Sequence, residues 1–322
     1  MDGKATFITD LPLGQYYVKE IEAPAGYVTT DEIFDVDATY QGADKAVITF
    51  EAEFKNKPTK VEISKTDITG DKELEGATLQ VVDVKNGNII DEWVSGKKSH
   101  KIEGLETGKT YKLIETIAPE GYTKSTEIEF KVENTNEIQK VIMIDKVVEM
   151  SKVDIGGEEI EGAKIHVFDG DKNIIDEWVS TKESHKIKNL EEGKKYTLHE
   201  EVVADGFVKA TDVEFEVTTD KETQHIEMVD KIVEITKTDI TNGEEIKGAE
   251  LHVVDENDFI IDEWVSTKEP HKVRGLEEGK TYKLIEYTAP YGYELTEDIT
   301  FTVSYDKETQ HIEMKDMPIL KN

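Results

Sequence analysis

The 322-residue sequence has no cysteine. That excludes disulfide staples, a common support for domains under about 100 residues. Basic side chains are in deficit, with 39 Lys and Arg against 71 Asp and Glu, for a formal net charge of −32. Such a charge repels phosphate backbones and anionic lipid, so nucleic acid and membrane-surface partners are not expected. No apolar run approaches the ~20 residues needed to span a bilayer, and no membrane insertion is expected of this stretch. Met1-Asp2-Gly3-Lys4 also lacks the basic-then-apolar pattern of a secretory signal. The chain is then either intracellular or an internal fragment, and its opening residues favour a fragment. No stretch shows a sustained helical period.

What is present is a repeat. The segment IIDEWVS recurs around Trp93, Trp178 and Trp264, at spacings of 85 and 86 residues. That period exceeds the 20 to 50 residues of solenoid units and suits tandem globular domains. Within each repeat, short segments rich in Val, Ile, Thr and Tyr alternate apolar and polar residues and are broken by Gly, Asn, Asp or Pro, as in Val61 to Lys65, Thr78 to Asp83 and Lys140 to Asp145. An all-β sandwich of roughly seven strands per repeat is expected. Domains are read at 1–58, 59–146, 147–231 and 232–322. The first has YYVKE, APAGY and a strand FEAEFKN ending at Asn56, in the order that YKLIE, APEGY and VIMID occupy in the second half of the next repeat. It therefore reads as the C-terminal half of a domain. Only seven positions separate Asp145 from Lys152, and Asp230 from Lys237, with no Gly, Ser or Pro in between except Ser151. Junctions this short predict a stiff rod.

Period-2 parity places charges in the apolar interior. Asp145 shares a face with Met143 and Val141, Asp230 with Met228 and Ile226, and Asp316 with Met314 and Ile312. In the first strand of each repeat, Lys65, Lys152 and Lys237 lie on the face of Ile63, Met150 and Ile235. In a middle strand, Glu115, Glu200 and Glu286 lie on the face of Leu113, Leu198 and Leu284. The Lys-to-Glu spacings are 50, 48 and 49 residues, and the Glu-to-Asp spacing is 30 in all three repeats. Burying one ammonium and two carboxylates costs several kcal/mol per ion. One resolution is a buried salt bridge that never reacts. The other is chemistry: burial raises a carboxyl pKa and lowers that of an amine, and a neutral amine beside a neutral carboxyl is the reactant pair for an amide. A neighbouring Glu could donate to the Asp carbonyl and relay the amine proton.

The run ISKTDITGDKELEGATLQVVD, followed by YKLIETIAPEGY and VIMID, resembles the CnaB or SpaA-type prealbumin-like domains of Gram-positive surface adhesins and pilins. The resemblance covers the three full repeats and, less fully, the half repeat. It implies tandem Ig-like, prealbumin-like β-sandwiches in which a first-strand Lys is joined to a last-strand Asp or Asn, promoted by the middle-strand Glu. Carried over by position, Lys65, Lys152 and Lys237 are the amines, Asp145, Asp230 and Asp316 the acceptors, and Glu115, Glu200 and Glu286 the promoters. The second repeat departs from the pattern with VVADGF in place of APEGY. In the half repeat, Glu20 and Asn56 match a promoter and an acceptor without their lysine strand.

Other signals carry less. His100, His185 and His271 recur by position without a ligand partner at metal spacing and read as surface residues. Asp169 to Asn173 resembles a calcium loop but lacks its Gly and distal Glu, so it reads as a hairpin turn. The repeated Trp reads as packing, and without cysteine the thioester chemistry of some related adhesin domains is excluded. The expected function is a structural stalk segment of an extracellular, cell-surface protein. Its partners are neighbouring domains of the same protein and a host surface ligand of unknown identity. No cofactor, no metal and no enzymatic turnover are expected beyond a single self-crosslinking. The rival reading is a module that binds host glycan or matrix protein directly, and the near-uniform loops argue against it.

Overall fold

A computed structural model describes residues 6, 10–42 and 47–319. Among the described residues every regular element is a β-strand and none is a helix. The chain forms two compact units, Met1–Thr116 with Glu127–Met143, and Ile117–Thr126 with Ile144–Asn322. The last strand of the first full repeat is divided between them.

Each full repeat has a three-stranded and a four-stranded sheet. In the second repeat the first strand, Val148–Asp154, lies between the last, Gln224–Asp230, and a short strand, His185–Lys186. In the third, Val233–Asp239 lies between Gln310–Asp316 and His271–Lys272. The first repeat repeats this order with Gln139–Asp145, Lys60–Asp67 and His100–Glu103. The four-stranded sheet of the second repeat runs Ile174–Val179, Lys164–Phe168, Lys195–Val202, Val213–Glu216, all antiparallel. The alternation that predicted strands reappears as alternating burial, for instance in Thr110–Ile117 and Val148–Asp154. Only one face of each sheet meets the core.

First and last strands pair in parallel, Val148 opposite Gln224 through Asp154 opposite Asp230, and Val233 opposite Gln310 through Asp239 opposite Asp316. Each sandwich closes around its own apolar cluster. In the second repeat this includes Met150, Ile165, Leu198, Phe215 and Met228, and in the third Ile235, Leu251, Leu284, Phe301 and Met314.

The half repeat differs from expectation. Gly14–Lys19 pairs with Ile33–Ala38, and Tyr27–Val28 with Lys57–Pro58. Residues 47–56 are not a strand, so the reading of FEAEFKN as one is corrected. In the full repeats the matching segment is held by the first strand beside it. Among the described residues no such strand lies against 47–56, and its backbone groups have no ladder to join.

Candidate functional site

The parallel register explains how three distant residues meet. Lys152 is opposite Met228, so Asp230 is two residues further along the neighbouring strand and on the same face. Lys237, Met314 and Asp316 repeat this geometry. The Glu comes from the facing sheet, beside a bulge. Pairing slips between Lys164 and Ile165, whose partners are Val202 and Glu200, and likewise between Glu250 and Leu251, whose partners are Thr288 and Glu286. A bulge bends the strand locally and re-aims its side chains.

In the second repeat, Lys152 Nζ contacts Asp230 Oδ1 and lies 3.0 Å from Glu200 Oε1. In the third, Lys237 Nζ contacts Asp316 Oδ1 and lies 2.9 Å from Glu286 Oε1. All six side chains are buried. In the first repeat, Lys65 Nζ lies 2.9 Å from Glu115 Oε1. Asp145 is fully buried and accepts a hydrogen bond from Ser125 Oγ at 2.7 Å.

The promoter-position carboxylates are anchored on both sides. Glu200 Oε2 accepts the Ala210 N–H at 2.9 Å, and Glu286 Oε2 the Thr296 N–H at 2.8 Å. Glu20 likewise accepts the Thr30 N–H at 2.9 Å, and Asn56 Nδ2 donates to Glu20 Oε2 at 2.6 Å and to the Val28 carbonyl at 3.0 Å. Glu20 and Asn56 therefore meet, but both are only half-buried.

Desolvation pushes the Asp230 carboxyl up to about 8. The Lys152 charge opposes that rise and Glu200 adds to it. Asp316 is pushed up to about 6 by desolvation, against the hydrogen bond and charge of Lys237, with Glu286 again raising it. A protonated Asp removes one of the two negative charges that three ionised groups would bury, and it makes the carboxyl carbon attackable by an amine. Asp230 Oδ2 and Asp316 Oδ2 are buried without a hydrogen-bond partner.

Sequence reasoning missed a second carboxylate at each lysine. Glu73, Glu159 and Glu245 accept the main-chain N–H of Lys65, Lys152 and Lys237 at 2.8, 3.2 and 3.1 Å. The available signal was a Glu recurring 8, 7 and 8 positions after the lysine. It also missed two fully buried lysines, Lys146 and Lys231, each directly after an acceptor-position Asp.

The remaining candidates have local roles. Trp93, Trp178 and Trp264 stack on His100, His185 and His271 with ring centroids 4.0–4.1 Å apart. Each of these His Nε2 atoms is 2.8–2.9 Å from an Asp of the same repeat, Asp91, Asp176 or Asp262. Asp169 Oδ1 accepts the N–H groups of Asp171 and Asn173, which makes the segment a turn. Among the described residues no group of three His, Asp or Glu side chains could hold a metal ion.

Parallel closure of first and last strands around a buried Lys, Glu and Asp defines a class: tandem β-sandwich repeats of prealbumin-like fold. The SpaA prealbumin-like fold domain model matches residues 1–53, 59–147, 146–232 and 231–318, and the chain belongs to that family. No curated protein matches the sequence. Among solved structures, the Bacillus anthracis TIE protein is similar at 21% identity over 80% of this chain and 51% of its own, with a TM-score of 0.24. A streptococcal ancillary pilin is 16% identical over 81% of this chain and 98% of its own, with a TM-score of 0.27. BcpA, the major pilin subunit of Bacillus cereus, is 17% identical over 81% and 99%, with a TM-score of 0.26. The chain thus spans about half the length of the first of these and nearly all of the other two.

Proposed function

We propose that this chain is a structural stalk segment of a Gram-positive surface adhesin or pilin-like protein, and that each full repeat closes itself with a Lys–Asp isopeptide bond. The observation that carries this reading is the burial of Lys152 with Asp230 and Glu200, and of Lys237 with Asp316 and Glu286, each amine in contact with one carboxylate and about 3 Å from the other. The neutral amine attacks the Asp carboxyl carbon, the C–N bond forms, and the C–OH bond breaks. The hydroxyl leaves as water with a proton from Nζ, relayed by the Glu. The apolar walls, Met228 with Leu198 and Met314 with Leu284, keep bulk water from the reacting atoms. Lys65, Glu115 and Asp145 occupy the same strand positions in the first repeat and are assigned the same roles. Glu20 and Asn56 have promoter and acceptor identities, but no lysine among the described residues pairs with them.

The bond ties together the strands through which a pulling force enters and leaves a repeat, so the other strands are shielded from load. The reading also places the chain at the cell surface with neighbouring domains as its partners. Direct glycan binding is less well supported, because one face of each repeated Trp is covered by a histidine. Intact-mass measurement of the full chain tests the proposal. A deficit of one water per full repeat is expected, and an undiminished mass refutes the covalent reading.

A further inference from the structure

Lys146 and Lys231 are fully buried, and the chemistry above does not use them. A buried ammonium is tolerated only where its hydrogens are matched by acceptors. Lys231 Nζ donates to Ser304 Oγ and the Ser304 carbonyl at 2.5 and 3.1 Å, and to Asp306 Oδ1 and the Asp306 carbonyl at 3.0 and 3.1 Å. Those acceptors belong to the following repeat. Lys146 Nζ reaches across in the same way, to Thr218 Oγ1 and to Asp220 Oδ1, the latter at 3.2 Å.

We propose that the Asp-Lys dipeptide ending a repeat is also a docking plug. Its Asp faces its own core, while its Lys seats in a socket on the next repeat made of a hydroxyl residue and an Asp two positions on. The partner this surface fits is another repeat carrying that socket. The Asp is the last residue of its strand and the Lys the first beyond it, so one dipeptide serves two domains.

A second contact recurs beside each plug. The Lys124 N–H donates to the Leu190 carbonyl and the Lys209 N–H to the Leu276 carbonyl, both at 2.8 Å. Glu192 and Glu278, both buried, then accept the N–H groups of Thr126 and Thr211 at 3.1 Å. Val208 of the second repeat is fully buried in the apolar cluster of the third. The Asp306 carboxyl is held below its ordinary range by its hydrogen bonds from Ser304 and Lys231.

Plug and socket are not on every repeat. Glu133 and Thr135 stand at the socket positions of the first repeat, and Met317 follows Asp316 where a plug would be. The docking is therefore directional, with plugs on the first and second repeats and sockets on the second and third. It stands whether or not the isopeptide bonds form.

The absence of cysteine allows a direct test on the full chain. Spin labels at Glu183→Cys and Glu269→Cys report the distance between the second and third repeats. A narrow distribution is expected, and Lys231→Met should broaden it at least ~twofold, with ~tenfold faster amide exchange at Lys209. Should Lys231→Met fail to fold, Ser304→Ala with Asp306→Asn removes the hydroxyl and the negative charge from the socket and should broaden the distribution in the same direction. Intact mass on the same samples separates lost docking from a lost covalent bond. An unchanged distance width in the folded variants overturns the proposal.

Discussion

Replacing Glu286 by Ala tests the proposed chemistry in one repeat and leaves the others as internal controls. The bond it should abolish would join Lys237 to Asp316, 79 residues apart. In the chain-entropy treatment of cross-links, a loop of that length is worth about 4.5 kcal/mol in the restricted unfolded state. Glu286 also accepts the part-buried Thr296 N–H, and losing that bond to a carboxylate costs about 1.5 kcal/mol more. The third repeat should then lose about 6 kcal/mol. At roughly 4–8 °C per kcal/mol for a domain under 100 residues, its melting transition should fall by at least ~20 °C. Calorimetry would show it separating from the rest, and the water deficit against the mass expected from the variant's own sequence should shrink by one. Lys237→Met, which also prevents the bond but keeps the Glu286–Thr296 contact, separates the two contributions. An unchanged water deficit in Glu286→Ala would remove its promoter role. A restored water without a fall in melting temperature would refute the cross-link as a source of stability.

Further outcomes follow from the same geometry. In Glu200→Gln the bond should not form, and desolvation, the main cause of the raised Asp230 pKa, is retained. An acid whose folded pKa is raised stabilises most below its unfolded pKa, and that stability is lost as pH climbs through the folded one. The melting temperature of the second repeat in this variant should therefore fall between pH 5 and pH 9, while the wild type, with an amide at Asp230, stays level; a rise with pH would contradict the assignment. Glu159→Ala frees the main-chain N–H of Lys152 and should slow water loss in newly made protein without changing the final mass. Time-resolved intact mass checks this, and a wild-type rate would make Glu159 a merely structural residue.

The triads were legible because a strand's period of two is unforgiving: Lys152, Glu200 and Asp230 could share an apolar face in only one register. What parity could not supply was the mate of each face. Lys146 and Lys231 stand just past the strands that end at Asp145 and Asp230, where parity assigns no face, and the acceptors that bury them belong to the following repeat. Glu73, Glu159 and Glu245 lie in single-residue β-bridges outside any strand, where no period points a side chain anywhere. The strand expected at Phe50 to Asn56 failed for the converse reason, since its composition suits a strand but a strand exists only by pairing. The short strands His100–Glu103, His185–Lys186 and His271–Lys272 carry too few residues to show an alternation.

The Asp-Lys junction has a consequence for how such a chain can change length. From Asp230 through Lys231 to Val233, successive residues belong to one core, the next repeat's socket and the next core. A single inserted residue would reverse every assignment downstream of it at once. Hairpin turns such as Glu256 to Asp258 have no such constraint and can absorb insertions. The array should therefore lengthen or shorten by whole repeats, and its junctions should be the places least tolerant of insertion or deletion.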